Sequence, residues 1–164
     1  MTVAARAWVA EPHEAETVAR LLVEFRDHYG RDWPSDNAFL AAVERLIEQP
    51  DAEFLLGAPH DDAPPAGICQ LRFRFSVWMA AEDCWLEDLF VLAHARGAGL
   101  GAALVQLARD RARERGCRRV ELDTNECNDA ALALYARFGF TAESKPGAGR
   151  DLFLGARLDV ENRT

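Results

Sequence analysis

Arg96-Gly97-Ala98-Gly99-Leu100-Gly101-Ala102 is the segment on which the fold turns. Before it, Trp85 to Val91 reads as a strand. After it, a stretch from about Gly99 to Arg115 reads as a long helix that Gly116 stops. Glycines let a backbone come close to a ligand, and successive N–H groups at a helix start wrap an anion. The helix dipole adds roughly half a positive charge at that end. A phosphate or pyrophosphate is the natural guest of such a turn.

Gly97, Gly99 and Ala102 also satisfy G-x-G-x-x-A, with Asp123 about 20 residues on, which imitates a dinucleotide-binding fingerprint. That fingerprint belongs in the turn directly after the first strand of a nucleotide-binding half. Here Leu92-Ala93-His94-Ala95-Arg96 intervenes, the motif lies past the midpoint of the chain, and too little sequence follows for a second half. A glycine-rich helix start with no ligand is the plainest alternative.

Working outward, Ala7-Trp8-Val9-Ala10 reads as an opening strand closed by Pro12. Val18, Leu21, Leu22 and Phe25 fall at i, i+3, i+4 and i+7, one face of a helix from His13 to His28. Ser35 caps a second helix whose stripe is Phe39, Leu40, Val43, Leu46 and Ile47, stopped by Pro50. Strands follow at Glu53–Ala58 and Ile68–Val77, separated by the turn from His60 to Pro65. Val120–Asp123 is a strand, Asp129–Phe138 a helix with Gly139 after it, and Thr141–Ser144 and Asp151–Leu158 read as closing strands joined through Pro146-Gly147. The order β-α-α-β-β-β-α-β-α-β-β predicts an α/β (α+β) fold: one mixed, mostly antiparallel sheet with helices on both faces.

The chain has 164 residues, 49% apolar and 28% charged, which predicts a single domain spanning 1–164. Its formal charge of −8 argues against nucleic acid as a partner. The charge is uneven. Residues 1–95 carry seven basic and seventeen acidic side chains, and residues 96–164 carry twelve and ten. That asymmetry reads either as solvated surface or as a cationic and an anionic ligand. Cys69, Cys84, Cys117 and Cys127 show no CxxC spacing, and His13, His28, His60 and His94 are scattered, so reduced packed thiols and no metal site are expected. No secretory h-region and no apolar run near the roughly 18 residues of a membrane span are present, so a cytoplasmic protein off the membrane is expected.

Taken together, these motifs resemble the GNAT superfamily of acetyl-CoA-dependent N-acetyltransferases. Arg96, Gly99 and Gly101 fill the family's Gln/Arg-x-x-Gly-x-Gly/Ala pyrophosphate loop. Leu86-Glu87-Asp88-Leu89-Phe90-Val91 is similar to its pantetheine strand, and Asn128, Ala131, Leu134-Tyr135 and Phe138-Gly139-Phe140 to its second signature. Leu86-Glu87-Asp88 followed by Phe90-Val91 resembles the spermidine/spermine and thialysine acetyltransferase branch. The front half matches only loosely, and Ala93 stands where the superfamily commonly has proline.

The resemblance implies acetyl-CoA as co-substrate, held by Leu89, Phe90, Val91, Arg96, Gly97, Ala98, Gly99, Leu100, Gly101, Ala102, Asn128 and Ala131. An alkyl ammonium of pKa about 10.4 is almost wholly protonated at pH 7, so a base must take its proton. Glu87 is the candidate, and alternation keeps Glu87 and Asp88 on opposite faces unless a bulge intervenes. The thioester oxygen is expected on a backbone N–H near Phe90 or Val91, made available by a splay of the sheet. Tyr135 is the expected donor to the departing sulfur, although a core tyrosine on the face of Ala131 and Phe138 would look the same. Arg109, Arg111, Arg113, Arg115, Arg118 and Arg119 are read mostly as exposed surface. The implied partner is a small cationic amine, such as a polyamine, a lysine-like amino acid or an aminoglycoside. A protein or peptide amine and a non-catalytic acyl-CoA-binding module are the alternatives. Homodimers are common among similar enzymes, an expectation by analogy alone.

Overall fold

The computed structural model describes residues 4–158. The chain divides into two compact units with a boundary after Leu122. The first holds β1 (Arg6–Val9), α1 (Ala15–His28), α2 (Asp36–Leu46), β2 (Ala52–Ala58), β3 (Gly67–Ser76), β4 (Ala81–Val91), α3 (Leu100–Glu114) and β5 (Val120–Leu122). The second holds α4 (Asp129–Arg137).

The sheet runs β1-β2-β3-β4-β5. Its first three pairings are antiparallel and β4 with β5 is parallel, as required when α3 crosses between them. Period-two alternation sorts its side chains into two cores. Leu55, Cys69, Leu71, Cys84 and Leu86 pack with Leu100, Leu104 and Ala108 of α3. Phe54, Leu56, Ile68 and Phe90 pack with Val18, Leu21 and Leu22 of α1 and Val43 of α2. Ser35 caps α2 as expected, its side chain accepting from the Ala38 N–H at 3.2 Å. β4 begins at Ala81, earlier than Trp85, because Ser76 pairs with Ala81 across the hairpin.

The start of α3 is pinned to the sheet by a glycine pair. A methyl on Gly57 would lie 2.5 Å from Leu100 Cδ1, and one on Gly67 would lie 3.0 Å from Leu104 Cδ1. Both leucines are fully buried, so neither end group has free space to turn into. Gly57→Ala is therefore expected to destabilise the protein by about 1–3 kcal/mol, the usual range for overpacking, read as a lower urea midpoint. An unchanged midpoint would show that Leu100 repacks freely.

Of the arginines after the loop, Arg113, Arg118 and Arg119 are exposed as the sequence implies, while Arg109, Arg111 and Arg115 are half-buried. Arg111 makes a two-pronged pair with Glu53 at 2.7 and 2.9 Å. Arg115 does the same with Glu82 at 3.1 Å to each oxygen and lies 3.8 Å over the Phe73 ring. Arg119 meets Asp83 and Glu121, each at 3.0 Å. These side chains tie α3 and the approach to β5 onto the sheet.

Two further expectations are corrected. Residues 141–144 and 151–158 form no strands; a single backbone bond, Asp151 N–H to the Ala142 carbonyl at 2.6 Å, links them. Leu152, Phe153, Leu154 and Leu158 are exposed, so no buried face exists there to set a register. The cysteines are free, but only Cys69 and Cys84 are buried, and Cys127 is exposed. Burial pushes the Cys84 thiol up to about 12 and the Cys69 thiol well above its ordinary range. No helix among the described residues is long and apolar enough to cross a membrane.

Candidate active site

The site begins with a break in the β4 pattern. Leu71 pairs with Leu86 and Cys69 with Leu89, so Gln70 alone stands opposite both Glu87 and Asp88. This is a β-bulge. Leu86 and Leu89 both pack on the α3 side, so alternation counted from either end sends Glu87 and Asp88 to the other face, the one under α1. The inserted residue thus removes the conflict that strict alternation creates. Glu87 is exposed and Asp88 half-buried.

The second break lies between β4 and β5. Their pairing covers Cys84–Leu86 against Val120–Leu122 and ends there among the described residues. The bulge and the last residues of β4 therefore have no β5 partner. N–H directions along this stretch follow from two backbone hydrogen bonds at its ends. Cys84 donates outward to the Arg119 carbonyl at 3.2 Å, and Leu92 donates inward to Ala66 at 2.8 Å. Counting back from Leu92 turns the Phe90 N–H inward toward β3 and leaves those of Leu89 and Val91 on the outer edge. Of the two expected donors, Val91 faces that edge and Phe90 does not: its N–H belongs to the β3 ladder and its ring to the α1 core. There Phe90 stacks on Phe25 with centroids 4.8 Å apart, and His28 lies at 5.5 Å.

The glycine turn follows directly. A short 3-10 turn, Ala93–Ala95, leads to Arg96, whose Nε donates to the outward Val91 carbonyl at 3.0 Å. Arg96 therefore braces the turn against the end of β4 and also lies 5.8 Å from the Phe90 ring. Gly97 and Gly99 have φ of +80° and +81°, and no atom lies within 4 Å of where a Cβ would stand on either. Gly99 is the α3 N-cap and offers no side chain to the helix. The first helical bond runs from the Ala103 N–H to the Gly99 carbonyl at 3.0 Å. The N–H groups of Leu100, Gly101 and Ala102 precede it and have no intrahelical acceptor. Ala98 is exposed beside them, whereas the Leu100 side chain is buried in the sheet core. An open turn, consecutive backbone donors and the positive end of a long helix fit a diphosphate.

In the second unit Asn128 caps α4, its side chain accepting from the Ala131 N–H at 3.2 Å. Capping thus accounts for Asn128 and for the place of Ala131 beside it. Tyr135 is buried, with its ring 5.7 Å from that of Phe140. Gly139 takes φ +83°, ending the helix as expected.

Gln70, opposite the bulge, is not singled out by the sequence, whereas Asp88 is, as the residue that a bulge would bring to the face of Glu87. The signal for the bulge was present: apolar residues at 84 and 86 and again at 89 and 91 break period two once, across two adjacent carboxylates.

Comparison with known proteins agrees with this geometry. The chain is 29% identical over 137 residues to the uncharacterized N-acetyltransferase YhfO of Bacillus subtilis (strain 168), covering 82% of this chain and 89% of that protein. It is 29% identical over 87 residues to thialysine N-epsilon-acetyltransferase of Bos taurus, covering 52% and 51% respectively. A crystal structure from Arthrobacter sp. FB24 superposes with a TM-score of 0.83 at 28% identity, covering 93% of this chain and 95% of that one. The acetyltransferase (GNAT) family model matches residues 15–140, which take in the bulge, the glycine turn and α4. The chain belongs to the GNAT acetyltransferase family and is an N-acetyltransferase.

Proposed function

We propose that this enzyme moves an acetyl group from acetyl-CoA to the primary amine of a small cationic acceptor. The observation that carries the reading is the double break in β4. A bulge turns Glu87 and Asp88 to one face, and the loss of β5 pairing opens the outer edge of the same stretch. Bound acetyl-CoA supplies a thioester. Gly97, Gly99 and the N–H groups of Leu100, Gly101 and Ala102 hold its diphosphate, with Arg96 and Ala98 alongside. The outward N–H groups of Leu89 and Val91 receive its pantetheine arm and the thioester oxygen, where donors fixed before the reaction stabilise developing negative charge.

Glu87 takes the proton of the acceptor ammonium, directly or through water, so that the nitrogen lone pair attacks the carbonyl carbon. As the C–N bond forms, the C–S bond breaks, the sulfur leaves carrying the electron pair, and the nitrogen's second proton passes to that sulfur, giving the neutral amide and the free thiol. Tyr135 gives that sulfur a hydrogen bond. Full transfer from a phenol of pKa about 10 to a thiolate of about 8.5 runs uphill by roughly 2 kcal/mol, so the hydrogen bond itself supplies most of the benefit. Tyr135→Phe is expected to lower kcat by about tenfold and leave the dissociation constant for CoA unchanged, with turnover read as thiol release. An equal loss of CoA affinity would assign Tyr135 to packing.

Two carboxylates on one face of the sheet support a cationic acceptor. The relative that acetylates thialysine supports a lysine-like amine. Thiol release measured with a panel of polyamines, amino acids, aminoglycosides and peptides tests the reading. Turnover confined to peptides removes the small-amine assignment, and CoA binding without transfer to any amine removes the enzymatic one.

A further inference from the structure

Arg96 opens the glycine turn, yet its side chain reaches back along the chain. Its Nε donates to the Val91 carbonyl at 3.0 Å, and its Cζ lies 5.8 Å from the Phe90 ring. Its own N–H bonds to the Ala93 carbonyl at 3.4 Å. Side chain and backbone together close residues 91–96 into a clasp, from which Gly97 turns away at φ +80°. A guanidinium at the mouth of a diphosphate site reads first as a charge for the phosphates. The bond to Val91 points to a different task.

Within a strand the N–H and C=O of one residue project to the same edge, so the Val91 carbonyl shares the outer edge with the Val91 N–H. No strand steadies that edge, because β5 pairing ends at Leu86 among the described residues. A donor that stabilises charge in a transition state has to be fixed before the reaction. At Val91 the bond from Arg96 stands where a strand bond is missing.

We propose that Arg96 is a positioning residue for acetyl transfer, acting through Val91 rather than through its charge on the diphosphate. The proposal rests on the acetyl-transfer reading above and gives the thioester donor of that reading its support. Without the brace the Val91 N–H drifts from the developing oxyanion and kcat falls. The grip on the diphosphate, carried by main-chain N–H groups of Leu100, Gly101 and Ala102, survives. One atom separates a brace from a charge. Arginine Nε and glutamine Nε2 stand the same number of bonds from Cα, so glutamine keeps an N–H donor at that atom without the charge. Lysine puts a methylene there and carries its charge one atom further on. A brace therefore prefers glutamine to lysine, and a phosphate-binding charge prefers lysine to glutamine.

The test compares wild type with Arg96→Gln, Arg96→Lys and Arg96→Ala. It measures kcat by thiol release, at saturating acetyl-CoA and the best acceptor of the amine panel, and the dissociation constant for CoA by titration calorimetry. Arg96→Gln should hold kcat within about threefold of wild type, while Arg96→Lys and Arg96→Ala lose about tenfold or more. CoA affinity should stay within about threefold throughout, and because Arg96 is exposed the melting temperatures should stay level. Glutamine no better than lysine in kcat would overturn the proposal, whether all variants match wild type or all lose activity with a falling melting temperature. A loss of CoA affinity in Arg96→Gln and Arg96→Ala that Arg96→Lys is spared would overturn it too and assign Arg96 to the diphosphate. Wild type that binds no CoA, or moves no acetyl group to any amine, would overturn the acetyl-transfer reading itself, a result distinct from all of these.

Discussion

Gly99→Val is expected to weaken acetyl-CoA binding by at least about a hundredfold by titration calorimetry. The residue stands at φ +81° as the N-cap of α3, with open space where a side chain would start. A β-branched residue held there costs about 1–3 kcal/mol in backbone strain, and the turn relieves it by rotating toward negative φ. That rotation turns the peptide groups leading into Leu100, Gly101 and Ala102 away from their common focus. The valine side chain that remains projects into the opening through which a diphosphate approaches. Misaligned donors and an obstructed approach act together, so the loss exceeds the strain alone. Gly116 supplies the control. It has φ +75°, open space at its Cβ position, and a place just beyond the far end of α3, about 22 Å of helix away. Gly116→Val should lower the melting temperature as Gly99→Val does and leave affinity intact. Equal affinity for wild type and Gly99→Val, beside a matching thermal loss, would separate the glycine turn from the ligand.

The parts of this site that local rules govern were legible in the sequence. Glycines 97 and 99 announce a left-handed turn before a helix, the Val18-Leu21-Leu22-Phe25 spacing announces the buried face of α1, and Ser35 announces a cap. Each depends on a few neighbouring residues. The bulge depends on two strands at once: Glu87 and Asp88 share a face only because β3 offers them the single residue Gln70. Its trace in the sequence, two carboxylates interrupting an apolar alternation, takes its meaning from that pairing. The charge asymmetry along the chain is likewise not a map of charge in space. Glu53, Glu82 and Asp83 count toward the acidic front half, yet their partners are Arg111, Arg115 and Arg119 of the back half. Those three pairs close part of the separation along the chain in space. The segment after Phe140 defeated pattern reading differently. Leu152, Phe153 and Leu154 are consecutive apolar residues that look like a strand, but a strand needs a paired edge, and pairing is not written in composition.

Glu87→Gln is expected to lower kcat/KM for the acceptor by about a hundred- to a thousandfold near pH 7, in the range typical for loss of a general base. Glutamine keeps the size and a hydrogen-bonding oxygen but cannot hold a proton, so binding through shape survives while proton removal does not. The pH profile carries the stronger information. Without a base the variant must capture the free amine from solution, and below the acceptor's pKa of about 10.4 the free amine grows tenfold with each pH unit. Log kcat/KM of the variant should therefore climb with unit slope toward that pKa. Wild type accepts the ammonium, removes its proton in the site and levels off at lower pH, so the gap between the two enzymes should narrow as the medium becomes alkaline. Asp88→Asn separates the two carboxylates that the bulge brings to one face. A charge that only attracts the cation raises acceptor KM and leaves the shape of the profile unchanged, whereas the proton-accepting group governs the shape itself. If Glu87→Gln runs parallel to wild type across the whole range while Asp88→Asn loses the plateau, the base is Asp88, and the bulge serves to present the second carboxylate rather than the first.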